Sequence, residues 1–255
     1  MSQFSVDTRK LGEFFKICEL FSTDRDIKLA LTVNPTAMSV LVGLPSAINP
    51  SVLMRSSFGG KFEDWGEIGI ATLLPLKKFL LSKSTPEAVF FKKDENKLYC
   101  AFDRSRFSVQ LCDPKQIKNK IDDQSMFQKA VDEAHKGASF VIKPECLRDI
   151  KRFSGSMGAK SLLLFGKDGS VSIKISGYQQ EAEINVDPTA KIETPFEIEL
   201  GSEFITILDK LKKFEILANV DVAAQILYLK LNSKEMSLEF IFRAASKSGN
   251  KLRGR

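Results

Sequence analysis

The feature that most constrains this chain is a repeat in the order of its apolar patterns. Residues 1–112 read strand, helix, three strands, strand, helix, three strands. Residues 139–244 read strand, helix, three strands, strand, helix, two strands. Each half thus uses a strand–helix–strands unit twice. Period-two alternation, the mark of strands with one buried face, runs through 27–32, 38–44, 52–58, 88–93, 97–103 and 106–112. It resumes at 162–166, 171–176, 182–186, 196–200, 225–231 and 237–243. Between two of these strands, Asp168-Gly169 is a strong hairpin signal, because glycine accepts positive φ there.

Four segments break the alternation with helical spacing. Leu11, Phe14, Phe15 and Cys18 follow i, i+3, i+4, i+7 within 8–21, and Leu76, Phe79 and Leu80 do so more briefly within 74–82. Leu147 and Ile150 mark a helix beginning at Pro144, a residue suited to a first helical turn. Phe204, Ile205, Leu208 and Leu211 mark the fourth, within 202–213. The stretch 113–138 is polar, with no strand pattern and one short helix, and reads as a connector between domains at 1–112 and 139–244. Residues 245–255 read as a basic flexible tail.

Several function classes fall away. With 43% hydrophobic and 27% charged residues the chain has the composition of a globular protein with a core. No run of eighteen apolar residues suits a membrane span, and the start lacks the order of a secretion signal, so an intracellular protein without a membrane partner is expected. The four cysteines are scattered without a C-x-x-C pair and read as small buried apolar residues. With His135 the only histidine, neither a zinc site nor a histidine-dependent nucleophile is expected, nor any cofactor. No phosphate-cradling G-x-x-x-x-G-K-[ST] loop occurs. The adjacent acids Glu63-Asp64, Asp94-Glu95, Asp122-Asp123 and Asp132-Glu133 could hold nuclease metals, but all fall in expected loops or the connector and read as solvated surface.

The charge is concentrated. Arg9, Lys10 and Lys16 lie on the first helix, and Lys77, Lys78 and Lys83 on the second. Arg148, Lys151 and Arg152 lie on the third, and Lys210, Lys212 and Lys213 on the fourth. Against these twelve basic residues the four helices carry six acids, a surplus equal to the +6 of the whole chain. One amphipathic helix with a charged face is unremarkable. Four, each with three basic residues in a repeated framework, suit a phosphate backbone held without base contacts. No aromatics interleave on these helix faces, so duplex rather than single-stranded nucleic acid is the expected ligand there.

In that order and pattern, over nearly the whole length, the chain resembles the DNA sliding clamps of the proliferating-cell-nuclear-antigen type. The resemblance is best in FVIKPECLRDIKR from Phe140 and in AKSLLLFGKDGSVSIKISG from Ala159: strand, basic helix, strand, Lys-Asp-Gly hairpin, strand ending in Ser-Gly. LGSEFITILDKLK from Leu200 and LLPLKKFLL from Leu73 resemble the clamp's other helices. The resemblance implies an α+β fold of two similar clamp domains, each with antiparallel sheets outside and two helices inside. It further implies a homotrimeric ring threaded by duplex DNA without sequence specificity, a docked DNA polymerase and a clamp loader, all at sites of DNA replication. In the ring, 106–112 of one copy would pair edge to edge with 182–186 of the next. A partner peptide would seat beneath the connector, against Leu44, Ile48 and Val52 of the first domain and Ile121, Met126 and Phe127 of the connector. In two respects the chain departs from the family: it ends about one strand early, and it is basic where many relatives are acidic. The alternatives are a basic clamp-fold polymerase accessory subunit that binds DNA without closing a ring and, from another class, a nucleic-acid enzyme.

Overall fold

The computed structural model describes residues 4–21, 28–44, 51–102 and 105–244. The first half runs β1 (Phe4–Asp7), α1 (Thr8–Cys18), β2 (Leu29–Asn34), β3 (Ala37–Leu44), β4 (Val52–Gly59), β5 (Gly66–Ile70), α2 (Leu73–Leu80), β6 (Ala88–Lys93), β7 (Lys97–Phe102) and β8 (Ser105–Cys112). After α3 (Gln124–Ala134) come β9 (Ala138–Ile142), α4 (Pro144–Met157), β10 (Ser161–Lys167), β11 (Ser170–Gly177), β12 (Gln180–Asp187), β13 (Phe196–Gly201), α5 (Ser202–Leu211), β14 (Ile216–Asp221), β15 (Ile226–Asn232) and β16 (Met236–Arg243). The two halves have one element order. The second therefore carries three strands after its last helix, not two, and the expected early ending is corrected. Ile216–Asp221 lacks the alternation of a strand because Ala218, Asn219 and Val220 are buried in succession. Ile27 and Asp103, at the ends of two expected strands, lie outside the described residues, as does the tail 245–255.

The chain divides into two compact units, Met1–Gln124 with Asn232–Glu239, and Ser125–Leu231 with Phe240–Arg255. The boundary falls inside the stretch 113–138, and α3 belongs to the second unit. In the first unit the strand orders are β1-β6-β7-β8 and β5-β2-β3-β4, with the first half of β16 beside β4. β5 meets β8 only through Gly69↔Cys112 and Ile70↔Leu111. In the second unit they are β9-β14-β15, ending on the second half of β16, and β13-β10-β11-β12. The registered pairs are antiparallel, and the halves repeat each other strand for strand.

Local chemistry sets these elements. Asp7 caps α1, its carboxylate accepting from the Lys10 N–H at 3.1 Å, and the Thr8 hydroxyl donates to Pro86 O at 2.6 Å. α1 buries Leu11, Phe14, Phe15, Ile17 and Cys18, each large side chain worth about 1.5–3 kcal/mol of transfer free energy. Gly12 lets α1 close on the end of α2, since a Cβ there would lie 2.6 Å from Leu81. Pro144 opens α4, and Gly158 closes it with φ +61°. Asp168 and Gly169 have φ of 53° and 77° in the β10–β11 hairpin, as that sequence demands. In the second unit α3 buries Phe127, Ala130, Val131 and Ala134, one stripe at helical spacing.

Candidate nucleic-acid interface

α1 packs against α2 in one unit and α4 against α5 in the other, so the four basic helices come as two pairs. Their apolar stripes enter the core, which leaves the basic residues on the opposite faces. The structure divides those twelve residues by their partners. Lys10 reaches Glu235 at 2.6 Å and Asp7 at 3.6 Å, Lys16 reaches Glu13 at 3.3 Å, and Lys77 pairs with Glu19. In the second unit Lys151 and Lys212 share Asp209, at 2.5 and 3.3 Å, and Arg152 lies 3.1 Å from Asp149. Arg9, Lys78, Lys83, Arg148, Lys210 and Lys213 are exposed and have no ion pair among the described residues. Lys83 sits just beyond the end of α2, in the turn that follows it.

The ion pairs shift the groups that make them. Burial pushes the Asp209 carboxyl up, but the hydrogen bonds and charges of Lys151 and Lys212 outweigh it and hold the group below its ordinary range. Lys151 rises in turn through its hydrogen bond to Asp209, and Lys10 through its hydrogen bond to Glu235. The pairs of Glu19 with Lys77, Asp209 with Lys151 and Glu235 with Lys10 escape a sequence reading, whereas that of Asp209 with Lys212 is three residues apart. Helical spacing identifies Glu13 and Asp149, three residues from their partners, whereas Glu235 lies 225 residues from Lys10.

The residues expected to capture a partner peptide are divided by burial and by unit. Val52 and Phe127 are core side chains, 2% and 0% exposed, so their expected contact with a ligand is corrected: both are consumed by packing. Met126 belongs with Phe127 to the second unit, whereas Leu44, Val52 and Ile121 belong to the first. Leu44 and Ile121 are half-buried, and Ile48 lies outside the described residues. The start of the connector is paired to β3: Gly43 N–H donates to Asn119 O at 2.9 Å and Ile121 N–H to Leu41 O at 3.2 Å. Beside it lies a groove of about 220 Å³ whose lining includes Leu41 and Ile121 but also Arg55, Glu67, Lys120 and Asp122. Lys120 bridges Glu67 at 2.6 Å and Asp122 at 2.7 Å. The sequence reading expected an apolar pocket there; the lining of this groove mixes apolar and charged side chains.

Of the four cysteines expected to be buried, Cys18 and Cys100 are, whereas Cys112 and Cys146 are half-buried. Burial pushes the Cys18 thiol up to about 12 and that of Cys100 up as well. The His135 ring meets Tyr228 edge-on at 5.2 Å. Among the described residues no three His, Cys, Asp or Glu side chains gather as a metal site, and no helix is long and apolar enough to cross a membrane.

This duplicated arrangement of strands and paired helices is the fold of DNA sliding clamps. It is similar to A. fulgidus PCNA, solved with the C-terminal region of FEN-1 bound, at a TM-score of 0.74 and 12% identity over 98% of this chain and 100% of that one. It is similar to Entamoeba histolytica PCNA, at 0.72 and 11% over 95% and 98%. A putative DNA polymerase III beta subunit from Eubacterium rectale matches at 0.70 and 12%, over 98% of this chain and 66% of that one. No protein-family model and no curated protein sequence matches the chain.

Proposed function

We propose that this protein is a non-enzymatic DNA polymerase processivity factor that encircles duplex DNA without sequence preference and tethers the replicative polymerase. The observation that carries the reading is the duplicated helix pair: each unit of a sliding-clamp fold presents three cations with no ion pair among the described residues, Arg9, Lys78 and Lys83 in one and Arg148, Lys210 and Lys213 in the other. Such cations release counterions from phosphates at no cost in broken ion pairs. The structural likeness to PCNA and to DNA polymerase III beta subunits supports the same reading.

The repeat supports ring closure. β4 has the first half of β16 beside it, with Gly59 N–H donating to Glu235 O at 2.7 Å and Arg55 pairing with Glu239 at 2.6 Å. By chain order β12 is the counterpart of β4, and β8 that of β16. β12 ends its sheet, and β8 is bare along most of its outer edge. A second copy supplies the pairing, and half-buried Phe79, Phe102 and Phe107 beside β8 can meet half-buried Phe153 and Met157 of the other copy. A homotrimer loaded by a clamp loader is the assembly we propose. Its partners' tails would dock at the groove beside Ile121; A. fulgidus PCNA is likewise solved with the C-terminal region of FEN-1 bound.

Sedimentation across a concentration series, with primer extension on a long template, tests the reading. A stable trimer that lengthens products supports it. A monomer that still binds duplex selects the non-ring accessory subunit, and failure to bind duplex overturns both.

A further inference from the structure

One face of the strands β6, β7 and β8 carries a chemistry the helices lack. Val89, Phe91, Leu98 and Cys100 point into the core, so the residues alternating with them form the opposite face. Register sets Phe90 beside Ala101 and Ala101 beside Arg106, one row across three strands. The adjacent row is Lys92, Tyr99 and Ser108, and Lys97 follows beside Gln110. Phe90 is 46% exposed in mid-strand, where a phenylalanine ordinarily finds cover. The Arg106 guanidinium lies 3.7 Å from the centroid of the Tyr99 ring, a planar cation backed by an aromatic. Ala101, the small residue between Phe90 and Arg106, leaves a trough two strand spacings across, roughly 10 Å. No carboxylate among the described residues forms an ion pair with Lys92, Lys97 or Arg106.

We propose that this face binds single-stranded nucleic acid. Phe90 and the Arg106–Tyr99 stack are platforms for two unstacked bases, and Lys92 and Lys97 engage the phosphates. Aromatic rings and arginine planes are the two surfaces on which free bases stack, and every base offers a π-face to them. A duplex keeps its base faces internal and would engage the cations alone. The site shares no residue with the basic helices, and it uses the face of β8 rather than its edge, so it stands or falls apart from the duplex-binding reading.

The test is fluorescence anisotropy of short labelled oligothymidylate and oligouridylate, with a blunt duplex as the comparator. Phe90→Ala and Tyr99→Ala should each weaken single-strand binding roughly tenfold or more, leave duplex binding unchanged, and keep the thermal midpoint of the parent. Phe90→Tyr should retain binding. Arg148→Ala with Lys210→Ala should do the reverse, weakening duplex binding alone. Equal binding of both oligonucleotides assigns recognition to base and phosphate, and a preference for oligouridylate adds the ribose hydroxyl; either supports the site. Absence of single-strand binding overturns the proposal. So does single-strand binding lost in the helix variants and kept in Phe90→Ala, or a face that takes an acidic peptide and no oligonucleotide.

Discussion

Asp209 shows how a single residue sets the charge that the proposed DNA ligand would meet. Its carboxylate neutralises Lys151 on α4 and Lys212 on α5, so it both ties the helix pair and withholds two cations from solvent. Asp209→Asn should therefore tighten duplex binding and steepen its salt dependence while lowering the thermal midpoint, read by anisotropy and calorimetry. Looser binding would mean that Lys151 and Lys212 need the carboxylate to be held in place. Protonation should mimic part of this. The folded carboxyl titrates below its ordinary value, so the unfolded chain binds the proton more readily. Its stabilisation is complete above the ordinary carboxylate range and is lost as pH falls through the lower folded value. Asp209→Asn should flatten that acid limb of the stability curve and leave neutral pH dependence unchanged. Phe127 makes the opposite case, a residue whose role is internal. Phe127→Ala should cost about 3–5 kcal/mol in chemical denaturation, with no selective loss of polymerase stimulation at temperatures where the variant is folded. Ile121→Glu, at a half-buried position lining the groove, should reverse that pattern and abolish stimulation with little effect on stability.

Among the elements, β8 carries the proposed closure on a second copy, and the direction of its N–H groups identifies the residues to change. Leu111 N–H donates inward to Asn96 O at 2.9 Å, while Gln110 O accepts from Ala71 on the other side. Antiparallel alternation then turns the N–H groups of 107, 109 and 111 towards β7 and those of 106, 108 and 110 outward. Ser108→Pro should remove an outward donor and lower the mass in solution while the chain stays folded, whereas Val109→Pro should break a bond to β7 and destabilise the first unit. If Ser108→Pro keeps the parent mass, the β8 edge is not an interface. Most elements were legible from spacing alone: the stripe of α1, Pro144 opening α4, and the Asp168-Gly169 hairpin needed nothing beyond their neighbours in sequence. β14 was not, because three successive buried residues erase a period of two. The basic helix faces were equally legible. Which cations remain unpaired was not, since Glu235 reaches Lys10 and Asp209 reaches Lys151 only through tertiary folding. The stripe of α3 stands in the sequence at Phe127, Ala130, Val131 and Ala134, but spacing does not say whether it covers a sheet or awaits a peptide.

For the whole molecule, the question is whether both units hold DNA at once. The repeat gives each unit three cations without ion pairs among the described residues, and a ligand contacting both should register their sum. Affinity for duplex falls with salt at a slope of about 0.9 per neutralised phosphate, so the slope counts contacts whatever the sequence of the DNA. Replacing Arg9, Lys78 and Lys83 together by alanine should lower the slope by up to about 2.7 for each copy whose helices contact the duplex. The matching change at Arg148, Lys210 and Lys213 should lower it as much, and the two effects should add when combined because no residue is shared. All these side chains are exposed, on helix faces or, for Lys83 and Lys213, in the turns just past them, so the thermal midpoint should move little. A slope that falls in one triple variant and not in the other would confine DNA to one unit, an arrangement that a ring does not need. Unchanged slopes in both would remove the helices from the interface and transfer DNA binding to another surface. Equal losses on unrelated duplex sequences, added across the two units, are the outcome that encirclement requires, because a duplex passing through a ring meets every helix pair and reads none of its own bases against them.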